Sequence, residues 1–134
     1  MNVVDASGWL EYFADGPDAA FFAQVLQETE SLLVPTVTIL EVFRSICRSH
    51  GEGPALQAAA AMQQGTVVPL DTPAALEAGR LAVSHGVPPS AGVALAVAER
   101  HSATVWTMDE RVRHAPGVRY RAPSGARPGA PVEA

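Results

Sequence analysis

The sequence predicts an α/β fold on a central parallel sheet of four to five strands. Short β-branched runs alternate with longer Ala/Leu-rich segments, the pattern of strand–helix units in which each helix carries the chain back for a parallel strand. At 134 residues, 48% of them hydrophobic, the chain is long and apolar enough for one cored domain without disulfides or a structural metal. Glycines and prolines fall between the periodic segments, where such units need their stops and starts.

The elements follow in order. Asn2-Val3-Val4-Asp5 reads as a first strand (2–5), and a helix near 6–14 begins beside two candidate caps, Asp5 and Ser7. Asp15-Gly16-Pro17 places a proline at the first position of a helix over 17–30. Its apolar stripe is Ala20, Phe21, Val25 and Leu26, with Phe22 nearby. Strand 32–35 leads into a helix over 37–50, where Ile39, Val42, Phe43 and Ile46 repeat at core-facing spacing and Gly51 marks the stop. A helix over 54–64 stops at Gly65, before a strand over 66–70. Asp71-Thr72-Pro73 starts a helix over 73–85 that Gly86 ends. A helix at 89–101, a strand at 103–107, a short helix at 109–114 and a last strand at 117–120 complete the domain, which is predicted to span 1–121. From Ala122 the composition turns to Pro, Gly, Ala and Ser, too poor in apolar residues to pack, so 122–134 is predicted to be a disordered tail.

Composition excludes several function classes. The single Cys47 rules out an internal disulfide, and its spacing with Phe43 and Ile46 predicts a buried thiol. No basic leader, long apolar leader or apolar run near the ~20 residues of a membrane span is seen, so a soluble cytoplasmic protein is expected. The histidines lack zinc-binding spacing, no Gly-rich loop ends in Lys-Ser/Thr, and no serine sits in a nucleophile elbow. Trp9 and Trp106 read as core aromatics.

Net charge is −5, which argues against bulk attraction to nucleic acid. The distribution is uneven: residues 1–43 hold seven acids and no Lys or Arg, while all nine basic residues are arginines from Arg44 onward. An acidic centre flanked by arginines suits a phosphate-bearing substrate once a cation neutralises the centre.

Three acids stand where that centre needs them. Asp5 closes the first strand, Asp109 follows the fourth, and Glu41 lies early in the helix after Leu33-Val34-Pro35. Ligands of open parallel sheets bind at the carboxyl ends of strands, where such carboxylates converge. Each acid also has a structural reading. Asp5 and Asp109 can cap helices, and Thr38-Ile39-Leu40-Glu41 fits a capping box. Glu41 shares a helix face with Arg44 and Arg48, which reads either as a surface ion pair or as a metal carboxylate beside arginines that hold a phosphodiester.

Taken together, these residues make the chain resemble the PIN domains, most closely the VapC toxins of bacterial toxin–antitoxin pairs. The resemblance rests on Val4-Asp5-Ala6-Ser7, Pro35-Thr36-Val37-Thr38-Ile39-Leu40-Glu41-Val42, Val68-Pro69-Leu70-Asp71 and Ala103-Thr104-Val105-Trp106-Thr107-Met108-Asp109, in order over 1–121. It implies a three-layer α/β/α domain and an endoribonuclease with Mg2+ or Mn2+ held by Asp5, Glu41 and Asp109. Ser7 and Thr107 would be hydroxyls orienting those acids, Arg44 and Arg48 the RNA contacts, and the partners an antitoxin and a second copy of the chain. One position departs from the family. An acid is expected at the start of the helix before the last motif, and Ala91 stands there. Glu99 is two turns on, about 12 Å along the helix. Either an Asp was changed to Ala91 to tame a toxic nuclease, or activity was lost naturally and the fold kept as a module that binds a protein partner.

Overall fold

The computed structural model describes residues 1–125. Strands β1 (Asn2–Val4), β2 (Leu32–Pro35), β3 (Thr66–Val68), β4 (Thr104–Thr107) and β5 (Val118–Tyr120) form one sheet in the order β3-β2-β1-β4-β5, every pair parallel. The helices are α1 (Ala6–Phe13), α2 (Ala19–Leu26), α3 (Thr36–His50), α4 (Glu52–Met62), α5 (Thr72–His85) and α6 (Pro89–His101). The three-layer α/β/α expectation holds.

Successive strand residues point to opposite faces, and both faces are covered, so the inner strands are apolar without alternation. Val3, Leu33 and Val105 pack against α6 and its neighbours, in a cluster that includes Ala94, Val97 and Ala98. Val4, Leu32, Val34 and Trp106 face the other way, with Trp9, Phe22, Val42 and Met62 from α1 to α4. The chain lays β1, β2 and β3 outward to one side, then returns through α5 and α6 to place β4 on the other side of β1. The gap between β1 and β4 is therefore the point where the strand order reverses, and it opens at the carboxyl ends of both strands.

Two close approaches set the helix positions. A Cβ on Gly8 would fall 2.5 Å from Val4 Cγ1, so α1 lies flush against the sheet. A Cβ on Gly92 would fall 2.3 Å from the Ala78 carbonyl oxygen, so α5 and α6 pack nearly backbone to backbone.

Several predicted elements change. The helix expected over 17–30 is α2 followed by a separate 3-10 turn at Thr29–Ser31. Pro17 lies outside α2, and the Asp18 carboxylate does not cap it. That carboxylate is instead held by Arg121 Nε at 2.9 Å and by Ser124, whose backbone N donates at 2.8 Å and whose hydroxyl also donates. The strand expected over 66–70 ends at Val68, and 109–114 is a 3-10 turn, Glu110–Val112. Because α3 starts at Thr36 directly after Pro35, Thr38 lies inside the helix and no capping box with Glu41 forms. Cys47 is half-buried rather than buried. The stripe on α2 is core, with Phe22, Val25 and Leu26 buried and only Ala20 exposed. Trp9 and Trp106 are buried as expected, at 3% and 4% exposure, which removes both as platforms for a base. Of the predicted tail, Ala122–Gly125 continue from β5 with Ser124 docked on Asp18, and 126–134 lie outside the described residues.

Candidate metal centre at the strand switch point

Asp5 follows β1 directly and its backbone N donates to Trp106 O at 3.1 Å, which ties it to β4. Its carboxylate caps α1 through Gly8 N at 3.3 Å, so the capping reading is correct, but the cap is a minor part of its bonding. Ser7 Oγ donates to Oδ1 at 2.5 Å and Thr107 Oγ1 donates to Oδ2 at 2.5 Å. Each hydroxyl in turn accepts a backbone N–H, from Met108 to Ser7 at 3.0 Å and from Asp109 to Thr107 at 2.8 Å. A hydroxyl has one proton, and with an N–H on its lone pair it turns that proton to the carboxylate. Ser7 and Thr107 therefore fix the orientation of the Asp5 carboxylate. Burial pushes the Asp5 carboxyl above its ordinary range, the two hydroxyls and Gly8 N–H pull it back, and the charge of Asp109 adds to the rise.

Glu41 comes from α3 and is half-buried in the same cleft. Burial raises its pKa first; the Ser90 hydroxyl lowers it, the Asp5 charge raises it and Arg111 lowers it. The influence of Asp5 on Glu41, and of Asp109 on Asp5, puts Asp5 within electrostatic reach of both other acids. They line a cleft of about 230 Å³ whose far wall is Ser90 and Ala91 at the start of α6. Residue 91 thus faces the acids, at the place where the sequence reading expected a fourth.

Asp109 lies two residues beyond β4 and caps the 3-10 turn through Arg111 N at 2.9 Å. The Arg111 guanidinium also grips both its oxygens: Nε lies 3.0 Å from Oδ1 and 3.2 Å from Oδ2, and Nη2 lies 2.7 Å from Oδ2. This grip is the main reason the Asp109 carboxyl is held below its usual range, against the opposing effect of burial. Sequence reasoning missed Arg111. Residues two apart do not meet on an α-helix, but Asp109 is the extended cap before a 3-10 turn, and its carboxylate turns to the Arg111 backbone N, within reach of the same residue's guanidinium. The available signal was the Asp109-Glu110-Arg111 order beyond a strand. Arg44 and Arg48 are exposed on α3, form no ion pair among the described residues and do not line the cleft.

The donor set suits a hard divalent cation, because it offers carboxylate oxygens with no His or Cys among them. Burial is the main reason the Asp5 and Glu41 carboxyls are raised, and the neighbouring carboxylate charge adds a smaller rise to each. As they stand, however, no three metal-ligating side chains among the described residues close around one point. Asp109 is the member already engaged by a cationic side chain, that of Arg111.

The family description of the PIN domain matches residues 3–118. The chain belongs to the PIN domain family. Solved structures with the same fold include a toxin–antitoxin complex from Klebsiella pneumoniae, 17% identical over 89% of this chain and 96% of that one, with a TM-score of 0.73. A second is Mycobacterium tuberculosis VapC20, described as a sarcin-ricin loop cleaving toxin. It is 17% identical over 90% of this chain and 99% of that one, with a TM-score of 0.76. A third is the DNA-bound VapBC of Salmonella typhimurium, 16% identical over 90% of this chain and 96% of that one, at a TM-score of 0.67. No curated protein matches by sequence. This PIN domain therefore shares its fold, and little of its sequence, with those structures.

Proposed function

We propose that this PIN domain is an endoribonuclease toxin of a toxin–antitoxin pair that hydrolyses RNA phosphodiesters with Mg2+ or Mn2+, and that Ala91 weakens or stops turnover. The observation that carries the reading is the convergence of Asp5, Glu41 and Asp109 on one cleft at the strand switch point. Asp5, Glu41 and Asp109 would hold the cation, which when bound activates a water and stabilises charge on the leaving oxygen. Asp5 is the fixed ligand, since Ser7 and Thr107 hold its orientation before anything binds. The Glu41 carboxylate, its proton affinity raised by burial, is placed to accept a proton at Oε from an attacking water. Arg44 and Arg48, exposed on the helix that carries Glu41, supply phosphate contacts along the RNA. The protein would work in the cytoplasm, as a homodimer, held in check by its antitoxin. The named toxins among the structures of like fold support the antitoxin partner.

A second reading is a PIN domain without turnover that binds a protein partner. It is favoured by Ala91 on the cleft wall and by the engagement of Asp109 with Arg111. RNA cleavage with Mg2+ or Mn2+ separates the two, measured on this chain and on Ala91→Asp. The Asp variant is expected to bind the cation more tightly and to cut RNA. If it binds no cation and cuts nothing, the nuclease reading is wrong.

A further inference from the structure

We propose that Arg111 is the resident counter-ion of the cleft and competes with the divalent cation for Asp109, so that this one side chain sets the affinity of the site. The inference rests on the cation reading given above and adds to it the residue that opposes binding.

Two features of the geometry carry it. First, both carboxylate oxygens of Asp109 are engaged by the forked guanidinium, and the Arg111 backbone N adds a further bond to Oδ1. Those bonds use the roughly four lone-pair sites of the carboxylate, so a cation must displace part of the fork to bind. Second, Arg111 lines the same cleft as Asp5, Glu41 and Asp109, so its charge stands beside all three acids. The guanidinium thus supplies part of the neutralisation that three neighbouring carboxylates need.

The same geometry limits the strength of the competition. The Arg111 side chain is 70% exposed while Asp109 is 22% exposed. Exposed ion pairs are weak and screened by salt. Arg111 is therefore displaceable, and its effect is a raised threshold for the cation rather than a block. With Ala91 contributing no carboxylate, that threshold bears on a site that already has one acid fewer to hold the ion.

The test measures Mn2+ binding by calorimetry on the full chain, on Arg111→Ala and on Arg111→Lys. Arg111→Ala is expected to bind Mn2+ roughly 1.5- to fivefold more tightly, the range an exposed ion pair allows. Arg111→Lys keeps the charge but cannot span both oxygens, so it is expected to fall between. In the Asp109→Asn background, Arg111→Ala is expected to gain much less, because the group they compete for is gone. As a readout independent of affinity, titrating Mg2+ is expected to shift the NMR resonance of Arg111 Nε–Hε as the fork lets go. If Arg111→Ala binds Mn2+ no more tightly than the parent while both bind it, the competition is refuted and the cation reading survives. If no variant, Ala91→Asp included, binds Mn2+, the cation reading fails and takes this proposal with it.

Discussion

Thr107 joins the two strand-end acids through one hydroxyl. It is fully buried, donates to Asp5 Oδ2 and accepts the Asp109 N–H. Replacing it with the isosteric Val leaves a buried carboxylate oxygen without its donor and an N–H without its acceptor. Each unmet group costs about 1–3 kcal/mol. Thr107→Val is therefore expected to lower the urea midpoint with an unchanged slope, and to loosen Asp5 so that cation affinity falls as well. A variant as stable as the parent would show that the hydroxyl is dispensable. At this scale the sequence was legible in position: β1 pairs with β4, so residues at the ends of the two strands meet, and Asp5 finds Ser7 and Thr107. It was illegible where a turn decides, because nothing in Asp109-Glu110-Arg111 announces that the turn is 3-10 and brings the guanidinium back onto its neighbour.

Helix α6 is the element that carries residue 91 to the cleft, and its position depends on Gly92. In a free helix, Gly→Ala gains about 0.5–1 kcal/mol from chain entropy. At Gly92 the new methyl would meet the Ala78 carbonyl oxygen at 2.3 Å, a backbone atom that cannot turn aside. Overpacking of this kind costs about 1–3 kcal/mol and dominates. Gly92→Ala is expected to destabilise by that amount, while Gly79→Ala, on α5 with no atom within 4 Å of the added methyl, is expected to stabilise. Thermal melts of the two variants check the pair; a stabilised Gly92→Ala would mean α5 and α6 are not in close contact. The boundaries of α6 were readable to the residue, because Pro89 opens the helix and an Ala/Val run fills it. Those of α2 were not. Asp15-Gly16-Pro17 has the form of a helix start, but the Asp18 carboxylate is committed to residues more than a hundred positions away, and no local pattern reports that.

For the whole molecule, that commitment ties the end of β5 to α2. Burial alone would raise the Asp18 pKa, yet hydrogen bonds from Ser124 and Arg121 and the Arg121 charge lower it overall. A carboxyl with a depressed native pKa adds stability above its unfolded value, about 3.9, and loses it as pH falls through the native value. Asp18→Asn is expected to be less stable by about 2 kcal/mol at pH 7, below the usual range for a broken buried pair because Arg121 is half-exposed and regains water. The gap between parent and variant is expected to narrow below pH 4, as followed by urea unfolding across pH. A gap independent of pH would place the stabilisation elsewhere.

Strand β1 has a further consequence through its neighbours. It lies at the centre of the sheet, and the hydroxyl that completes Asp5 comes from a residue 102 positions later. Long-range pairings of this kind form late, after loop closure has been met by other contacts. A chain still on the ribosome, or one cut short before β4, has Asp5 and Glu41 but neither Thr107 nor Asp109, and β1 lacks one of its two partners. Any cation site in the cleft is thus complete only after β4 has been made and has paired with β1.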